Sequence, residues 1–365
     1  MNEEIKKVLE KIMTAGFKAY VVGGYVRDFL LDKPTTDVDI CTDALPVDLS
    51  EIFADDNIKV NSYGSINLKT SKYNFDITTF RKDLTYVDGK LSEIEYIKDL
   101  KTDIKRRDFT INALYMDHNG TIIDEIGGMK DLTNKEIKVI GNIDQKFSED
   151  PLRILRAIRL MITHKFKIAE DILEYIYVHK KDIEKISKTR KKEELTKMLL
   201  SENVIWGFSF LKEHQLLDIL GINYDSLTYV DDINGMFAQL EFHEDLPFTK
   251  EEKDNIDNIK TILAYKKIDY GILFKYGLYL AIVAGKIMHL DSQTVSQLYA
   301  TMNIKNKDDL AVSGEDIMQA LDIKPSKVIK EIEECLIMEI INNNLVNDKE
   351  KLITYLKDNK GKWHL

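Results

Sequence analysis

Residues 23 to 39 hold the chain's densest set of groups able to do chemistry: Gly23-Gly24-Tyr25-Val26-Arg27-Asp28, a spacer, then Asp37-Val38-Asp39. Two glycines behind a β-rich run let a backbone approach a phosphate closely, and a helix beginning there adds oriented N–H donors. Arg27, on the first turns of that helix, can reach the same phosphates. Residues two apart on a strand share a face, so Asp37 and Asp39 set two carboxylates side by side. Such a pair repels itself unless a cation lies between, and hard oxygen donors favour Mg²⁺. Val38 and Ile40 alternate with the acids, which gives the strand one buried and one acidic face. Asp76, in the alternating run Phe75-Asp76-Ile77-Thr78-Thr79-Phe80, offers a third carboxylate. Three carboxylates holding two metals are the apparatus of phosphoryl and nucleotidyl transfer. Taken singly, each part also has a plainer reading: a Gly-Gly turn, an acidic patch of surface.

Two further strings stand out. In Arg106-Arg107-Asp108-Phe109-Thr110-Ile111-Asn112-Ala113-Leu114, two cationic donors adjoin an acceptor, a set suited to a ribose and a triphosphate. Alone, it could be a helix start with a basic first turn. In Glu149-Asp150-Pro151-Leu152-Arg153-Ile154-Leu155-Arg156-Ala157-Ile158-Arg159, Pro151 fits a first helical turn with acids at its N-terminus. Arg153, Arg156 and Arg159 recur every third residue as a cationic stripe, which in isolation reads as a solvated helix face.

The elements that must carry these groups are legible in the periodicity. Ile5, Val8, Leu9 and Ile12 predict an amphipathic helix ended by Gly16. AYVV, DVDIC, INLKT and FDITTF predict short strands, YVRDFLL a helix, and the HNG at 118–120 a turn within a hairpin-like pair. From Pro151 onward LRILRAIRLMI, ILEYIYV, EELTKMLL, VIWGFSFL and VIKEIEECLIMEII all have helical spacing, with Pro325 as a boundary inside that part. Trp206, Phe208 and Phe210 are expected to pack between helices, and the seven His show no metal-binding spacing.

The 365 residues suggest two or three domains. No run of about 18 apolar residues appears, so no membrane-spanning helix is expected, and MNEEIKKVLEKIM does not read as a secretory leader. Cys41 and Cys335 are expected to be reduced thiols in a cytoplasmic protein. With 52 Lys+Arg against 62 Asp+Glu, the formal charge of −10 counts against a nucleic-acid partner. The charge is uneven, however. Residues 1–100 hold 13 basic and 18 acidic side chains, 101–200 hold 21 and 17, and 201–365 hold 18 and 27. The basic excess coincides with the arginine strings, so a narrow basic track on an acidic surface is expected.

GGYVRD with DVDI resembles the first motif of class II tRNA nucleotidyltransferases, the CCA-adding enzymes, and of the related bacterial poly(A) polymerases. The RRDFTINAL string is similar to the second motif almost letter for letter, and Glu149 to Arg159 to the family's base-reading motif. The likeness is specific over about residues 16–200. It implies an α+β fold, a polymerase-β-like nucleotidyltransferase α/β head followed by an elongated all-helical body and tail. The head would span 1–140, nucleotide-recognition neck helices 141–200, and the tRNA-binding body and tail 201–365. It further implies Mg²⁺ at a two-metal site on Asp37 and Asp39, with Asp76 as the third catalytic carboxylate. Gly23, Gly24 and Arg27 would position the triphosphate, Arg107 would contact the nucleotide, and Asp108 would recognise the ribose 2′-hydroxyl. Asp150 and Arg153 would pair with the base edges of CTP and ATP, both of which carry an exocyclic amine, and Arg156 and Arg159 would complete the nucleotide-binding set. The partners implied are tRNA, CTP and ATP, with no membrane and no protein partner.

Gly127 to Leu132 resembles the family's hinge. Thr85-Tyr86-Val87-Asp88-Gly89-Lys90 has the place of a flexible loop needed for the switch to ATP, and is expected to be a polar loop of low structure, with Lys90 where an Arg is usual. In Ser187 to Leu195 Thr189 replaces the usual Glu, while Arg190 remains. The rival readings are a poly(A) polymerase, an enzyme adding only CC or only A, and an inactive RNA-binding module on the same fold. The −9 of residues 201–365 lacks the basic extension common in poly(A) polymerases.

Overall fold

The computed structural model describes all residues except 61–64, 88, 364 and 365, and the side chain of Lys90 is likewise left aside. The architecture is α+β. Two compact units are formed, one by residues 1–222 with 244–246, the other by 223–243 with 247–365.

The first unit opens with α1 (Glu3–Thr14), whose Ile5, Val8, Leu9 and Ile12 form its buried stripe. Then follow β1 (Ala19–Val22), α2 (Gly24–Leu30), β2 (Asp37–Thr42), α3 (Pro46–Ile52), β3 (Ile58–Val60), β4 (Ile66–Lys69) and β5 (Asn74–Thr79). After β6 (Arg81–Val87), β7 (Lys90–Tyr96) and α4 (Leu100–Arg106), β8 (Tyr115–Met116) and β9 (Ile122–Ile123) complete a seven-stranded sheet of order β3-β4-β5-β2-β1-β8-β9. The β2–β5 pair is parallel and brings Asp39 opposite Asp76, while β1 and β2 pair antiparallel with Val22 opposite Asp39. On one side of the sheet Val22, Cys41, Phe80, Ile104, Ala113 and Tyr115 form a buried cluster.

The expectation for residues 85–90 is corrected. They lie in an antiparallel β6–β7 hairpin in which Val87 pairs with Lys90. The Asp-Gly dipeptide at 88–89 is a tight-hairpin signal, and Gly89 adopts φ +69°. Asp88 itself lies outside the described residues.

The helices α5 (Gly128–Asn134), α6 (Ile143–Glu149), α7 (Leu152–His164), α8 (Glu170–His179), α9 (Lys188–Leu199) and α10 (Val204–Glu213) complete this unit, with β10 (Glu136–Ile137) pairing parallel to β11 (Lys167–Ile168). Helix α7 is the most deeply set, with Ile154, Ala157, Ile158, Leu160 and Ile162 fully buried. Helix α10 packs closely on it through Gly207. Of the aromatic residues expected between helices, Phe208 is buried, but Trp206 is 41% exposed and Phe210 only half-buried. The apolar face of α10 follows Val204, Gly207, Phe208 and Leu211, so Trp206 and Phe210 fall on its other side and stack outward along the helix with His214.

The second unit holds α11 (Ile233–Ala238), α12 (Lys250–Tyr265), α13 (Tyr270–Ile287), α14 (Ser292–Ala300), α15 (Gly314–Leu321), α16 (Lys327–Ile341) and α17 (Lys349–Asp358). Pro325 ends no core: Ile317 and Leu321 before it share one cluster with Ile332, Leu336 and Ile340 after it. By length and composition alone α13, with mean hydropathy 1.3, is apolar enough to cross a membrane, yet Lys275 and Lys286 lie within it, so no unbroken run of 18 apolar residues is present. The helix is interrupted at Gly277, which adopts φ +78°, and Leu273 and Ala281 pack with Val295 and Met302.

A Cβ at Gly207 falls inside the Ile162 side chain. Gly207→Ala is therefore expected to destabilise the protein by about 1–3 kcal/mol, as overpacking a filled core does. The loss should be read as a lower urea midpoint, and an unchanged midpoint contradicts it.

Candidate functional site

The sheet, α2, the β6–β7 hairpin, α7 and α9 surround one open cavity of about 770 Å³ within the first unit. Its lining includes Gly23, Gly24, Arg27, Asp37, Asp39, Arg107, Asp108, Asp150, Arg153, Arg156 and Arg159, so all the residues singled out from the sequence meet there except Asp76. Eight arginines and Lys197 face six aspartates across it.

At the floor, Asp37 and Asp39 are exposed while Val38 between them is buried. Gly23 is the N-cap of α2 with φ +77°, a conformation that side chains avoid, and a Cβ there would stand 2.9 Å from Asp39 Oδ2. Only glycine lets the turn come this close to the carboxylate. Asp39 keeps an open face to the cavity, yet the walls around its carboxylate deny it bulk water. That loss of hydration raises its pKa; Arg107 opposes the shift, and Asp76 and Asp37 add to it. Asp76 lines a second groove of about 600 Å³, which Asp37 and Asp39 also border, and its Oδ1 is buried without a hydrogen-bond partner among the described residues. No three acidic, His or Cys side chains among the described residues are gathered as a ready metal cage. The donor set still suits Mg²⁺, which commonly takes one or two carboxylates and completes its shell with substrate phosphates and water.

The arginines are held by acids of the chain itself. Arg27 donates through Nε and Nη2 to the Asp28 carboxylate at 2.9 and 3.0 Å and through Nη1 to Asn112 at 2.5 Å. Arg107 donates to the Tyr115 hydroxyl at 2.8 Å and to Asp103 at 3.0 Å, and Asp103 is fully buried. Arg156 grips Asp108 through Nε at 2.7 Å and Nη2 at 2.6 Å. Burial pushes Asp108 upward, but Arg156, the Phe109 N–H and Asn112 more than offset it and hold the carboxyl well below its usual range. All four acceptor positions of Asp108 are thereby filled, so a ribose hydroxyl must displace one of these donors. Arg159 is fixed by buried Glu194 at 2.6 Å.

The expected base-reading pair is arranged less directly. Arg153 is buried and donates to Glu149 at 3.1 Å, to the Lys146 carbonyl at 2.5 Å and to the Tyr86 hydroxyl at 3.3 Å. Asp150 is held by Arg190, with bonds of 3.1 and 2.8 Å. Asp103, Tyr86, Lys146 and Glu194 are parts of the site that sequence reasoning missed. Two of them had a signal: Asp103 stands four residues before Arg107, and Tyr86 lies just before the Asp-Gly dipeptide at 88–89.

Residues 19–138 match the family described as "Poly A polymerase head domain", 165–222 match "Probable RNA and SrmB- binding site of polymerase A", and 238–356 match the second tRNA nucleotidyltransferase domain. The CCA-adding enzyme of Ligilactobacillus salivarius is 33% identical over 396 residues, covering 97% of this chain and 96% of that one. The chain belongs to the CCA-adding enzyme family. The Streptococcus uberis CCA-adding enzyme is 31% identical across 95% of this chain. The crystal structure of the Bacillus stearothermophilus CCA-adding enzyme in complex with CTP superposes with a TM-score of 0.85 at 26% identity, covering 99% of both chains. The Thermotoga maritima CCA-adding enzyme complexed with tRNA shares the fold at 20% identity, with a TM-score of 0.65.

Lys146 gives the site a pH signature. Its Nζ donates to the Lys105 carbonyl at 2.5 Å beneath Arg153. Burial, then the charge of Arg153, lowers its pKa from 10.5 to about 8. Between these values the unfolded chain binds more protons at this position than the folded one, so its contribution to stability rises with pH. Relative to Lys146→Met, the wild type is expected to gain stability between pH 8 and pH 10.5 in urea denaturation. A difference that stays flat across that window contradicts the assignment.

Proposed function

We propose that this chain builds the CCA end of tRNA from CTP and ATP, without a nucleic-acid template, releasing pyrophosphate at each addition. The observation that carries the reading is the single cavity that joins the Asp37/Asp39 pair to the arginine wall. Neither a tight turn nor a solvated stripe requires that convergence. Asp37 and Asp39 would hold Mg²⁺, with Asp76 beside them on the neighbouring strand. When bound, a pair of such ions lowers the pKa of a hydroxyl nucleophile and neutralises charge on the departing pyrophosphate.

The chain's own residues supply binding and orientation. Gly23 and Gly24 admit the triphosphate to the backbone, and Arg27, Arg156 and Arg159 offer positive charge already fixed by internal acids, which costs little reorganisation during reaction. Arg107 lies beside Asp39 and contacts the nucleotide, while Asp108 takes the ribose hydroxyl by giving up one of its present donors. Asp150 accepts from the exocyclic amine of cytosine or adenine, and Arg153 donates to the adjoining acceptor; uracil and guanine leave these groups unpaired. Residues 1–140 act as the catalytic head, 141–200 as the recognition neck, and 201–365 hold the tRNA. The two free cysteines, Cys41 and Cys335, suit a reducing cytoplasm.

On tRNA lacking its tail, the enzyme with CTP and ATP is expected to add three nucleotides and stop, and Asp39→Ala to abolish addition while tRNA binding persists. A long A ladder on generic RNA with ATP alone would establish the poly(A) polymerase reading instead. Arrest after CC, or addition of A alone, would mark a partial enzyme. No incorporation under any condition would leave only an RNA-binding module.

A further inference from the structure

We infer that Arg190 sets the base selectivity of Asp150 as a positioning residue, an inference that rests on the reading that Asp150 faces the incoming base. Arg190 lies in the first turn of α9, 40 residues from Asp150 along the chain. Its Nη1 donates to Asp150 Oδ1 at 3.1 Å and its Nη2 to Oδ2 at 2.8 Å. The same Nη1 donates to the Gly89 carbonyl at the tip of the β6–β7 hairpin, also at 3.1 Å. Asp150 Oδ1 accepts in addition the Leu152 N–H at 3.1 Å.

A carboxylate offers about four acceptor positions. Among the described residues three are filled at Asp150, and the one left is on Oδ2. An exocyclic amine can donate there, whereas the carbonyl that uracil or guanine presents brings a lone pair against an anion. This discrimination requires a carboxylate that cannot rotate to present another edge or turn to a different cation. Two parallel N–H···O bonds from one planar guanidinium fix its plane, and the bond to Gly89 keeps the guanidinium from leaving Asp150 to meet a base carbonyl itself. Asp108 provides the contrast within the same cavity: its four positions are full, so it has no comparable opening. Lysine at position 190 would supply charge without the fork and could not hold both oxygens and Gly89 together.

The test is single-nucleotide addition to tRNA lacking its tail, giving kcat/KM for CTP and for UTP with the wild type, Arg190→Ala, Arg190→Lys, Asp150→Ala and the Arg190→Ala/Asp150→Ala double variant. Arg190→Ala is expected to lower the CTP-to-UTP ratio by about tenfold or more, chiefly through KM for CTP. Arg190→Lys should lower it by a smaller factor, and keeps the question answerable if the alanine variant does not fold. Adding Arg190→Ala to Asp150→Ala should change the ratio no further. If the Arg190 variants lose CTP and UTP incorporation equally, or if the double variant is additive, the inference is overturned while Asp150 keeps its role. If Asp150→Ala leaves the ratio unchanged, the reading beneath the inference fails.

Discussion

Two carboxylates share the exposed face of a central strand, and the cavity of the first unit is built over them. Asp37 and Asp39 stand two residues apart on β2, with Asp76 opposite Asp39 on β5. The pKa of Asp39 is raised because its surroundings withhold water and add like charge. A fold selected for stability alone would place apolar or paired residues there. Keeping them unpaired is useful when a cation and phosphate oxygens arrive with the substrate, and the turn at Gly23, with no side chain to fill the space, keeps that approach open.

The positive side of the cavity follows the opposite rule. Every arginine that the sequence singled out there is tethered: Arg27 to Asp28, Arg107 to Asp103, Arg153 to Glu149, Arg156 to Asp108 and Arg159 to Glu194. The tethers fix each guanidinium before substrate binds, which turns flexible surface charge into preorganised electrostatics. Floor and wall therefore divide the work: the acids wait for charge from outside, and the arginines have theirs set from within.

This division explains what could be read from the sequence. The DVDI alternation placed both carboxylates because a strand's period of two is a local property, and the arginine spacing of α7 placed three residues on one side because a helix's period is local as well. Arg190 and Asp150 meet across 40 residues, so no local pattern announces that pair, whereas Asp103 and Arg107, four residues apart at the end of α4, have a spacing that the sequence does show. Residues 85–90 were misread for another reason. Polar composition predicts a loop, but the runs on either side pair as β6 and β7 up to Val87 and Lys90, with Gly89 at φ +69° between them. Trp206 was misread because aromatic content alone does not say which side of a helix is apolar; Gly207 and Phe208, one and two positions on, do.

The net charge of −10 can now be resolved into parts that behave differently. Asp28, Asp103, Asp108, Glu149 and Glu194 are spent on arginines and contribute no free negative surface near the site. Asp37 and Asp39 stay unneutralised by design, and a metal-bound triphosphate would restore the balance. A count over the whole chain adds both groups together and so argues against the nucleic-acid partner that their arrangement serves. What matters for binding a phosphate is where the charges sit: the cavity lining itself presents eight arginines and Lys197 against six aspartates, while Asp103, Glu149 and Glu194 offset the remainder from outside that lining.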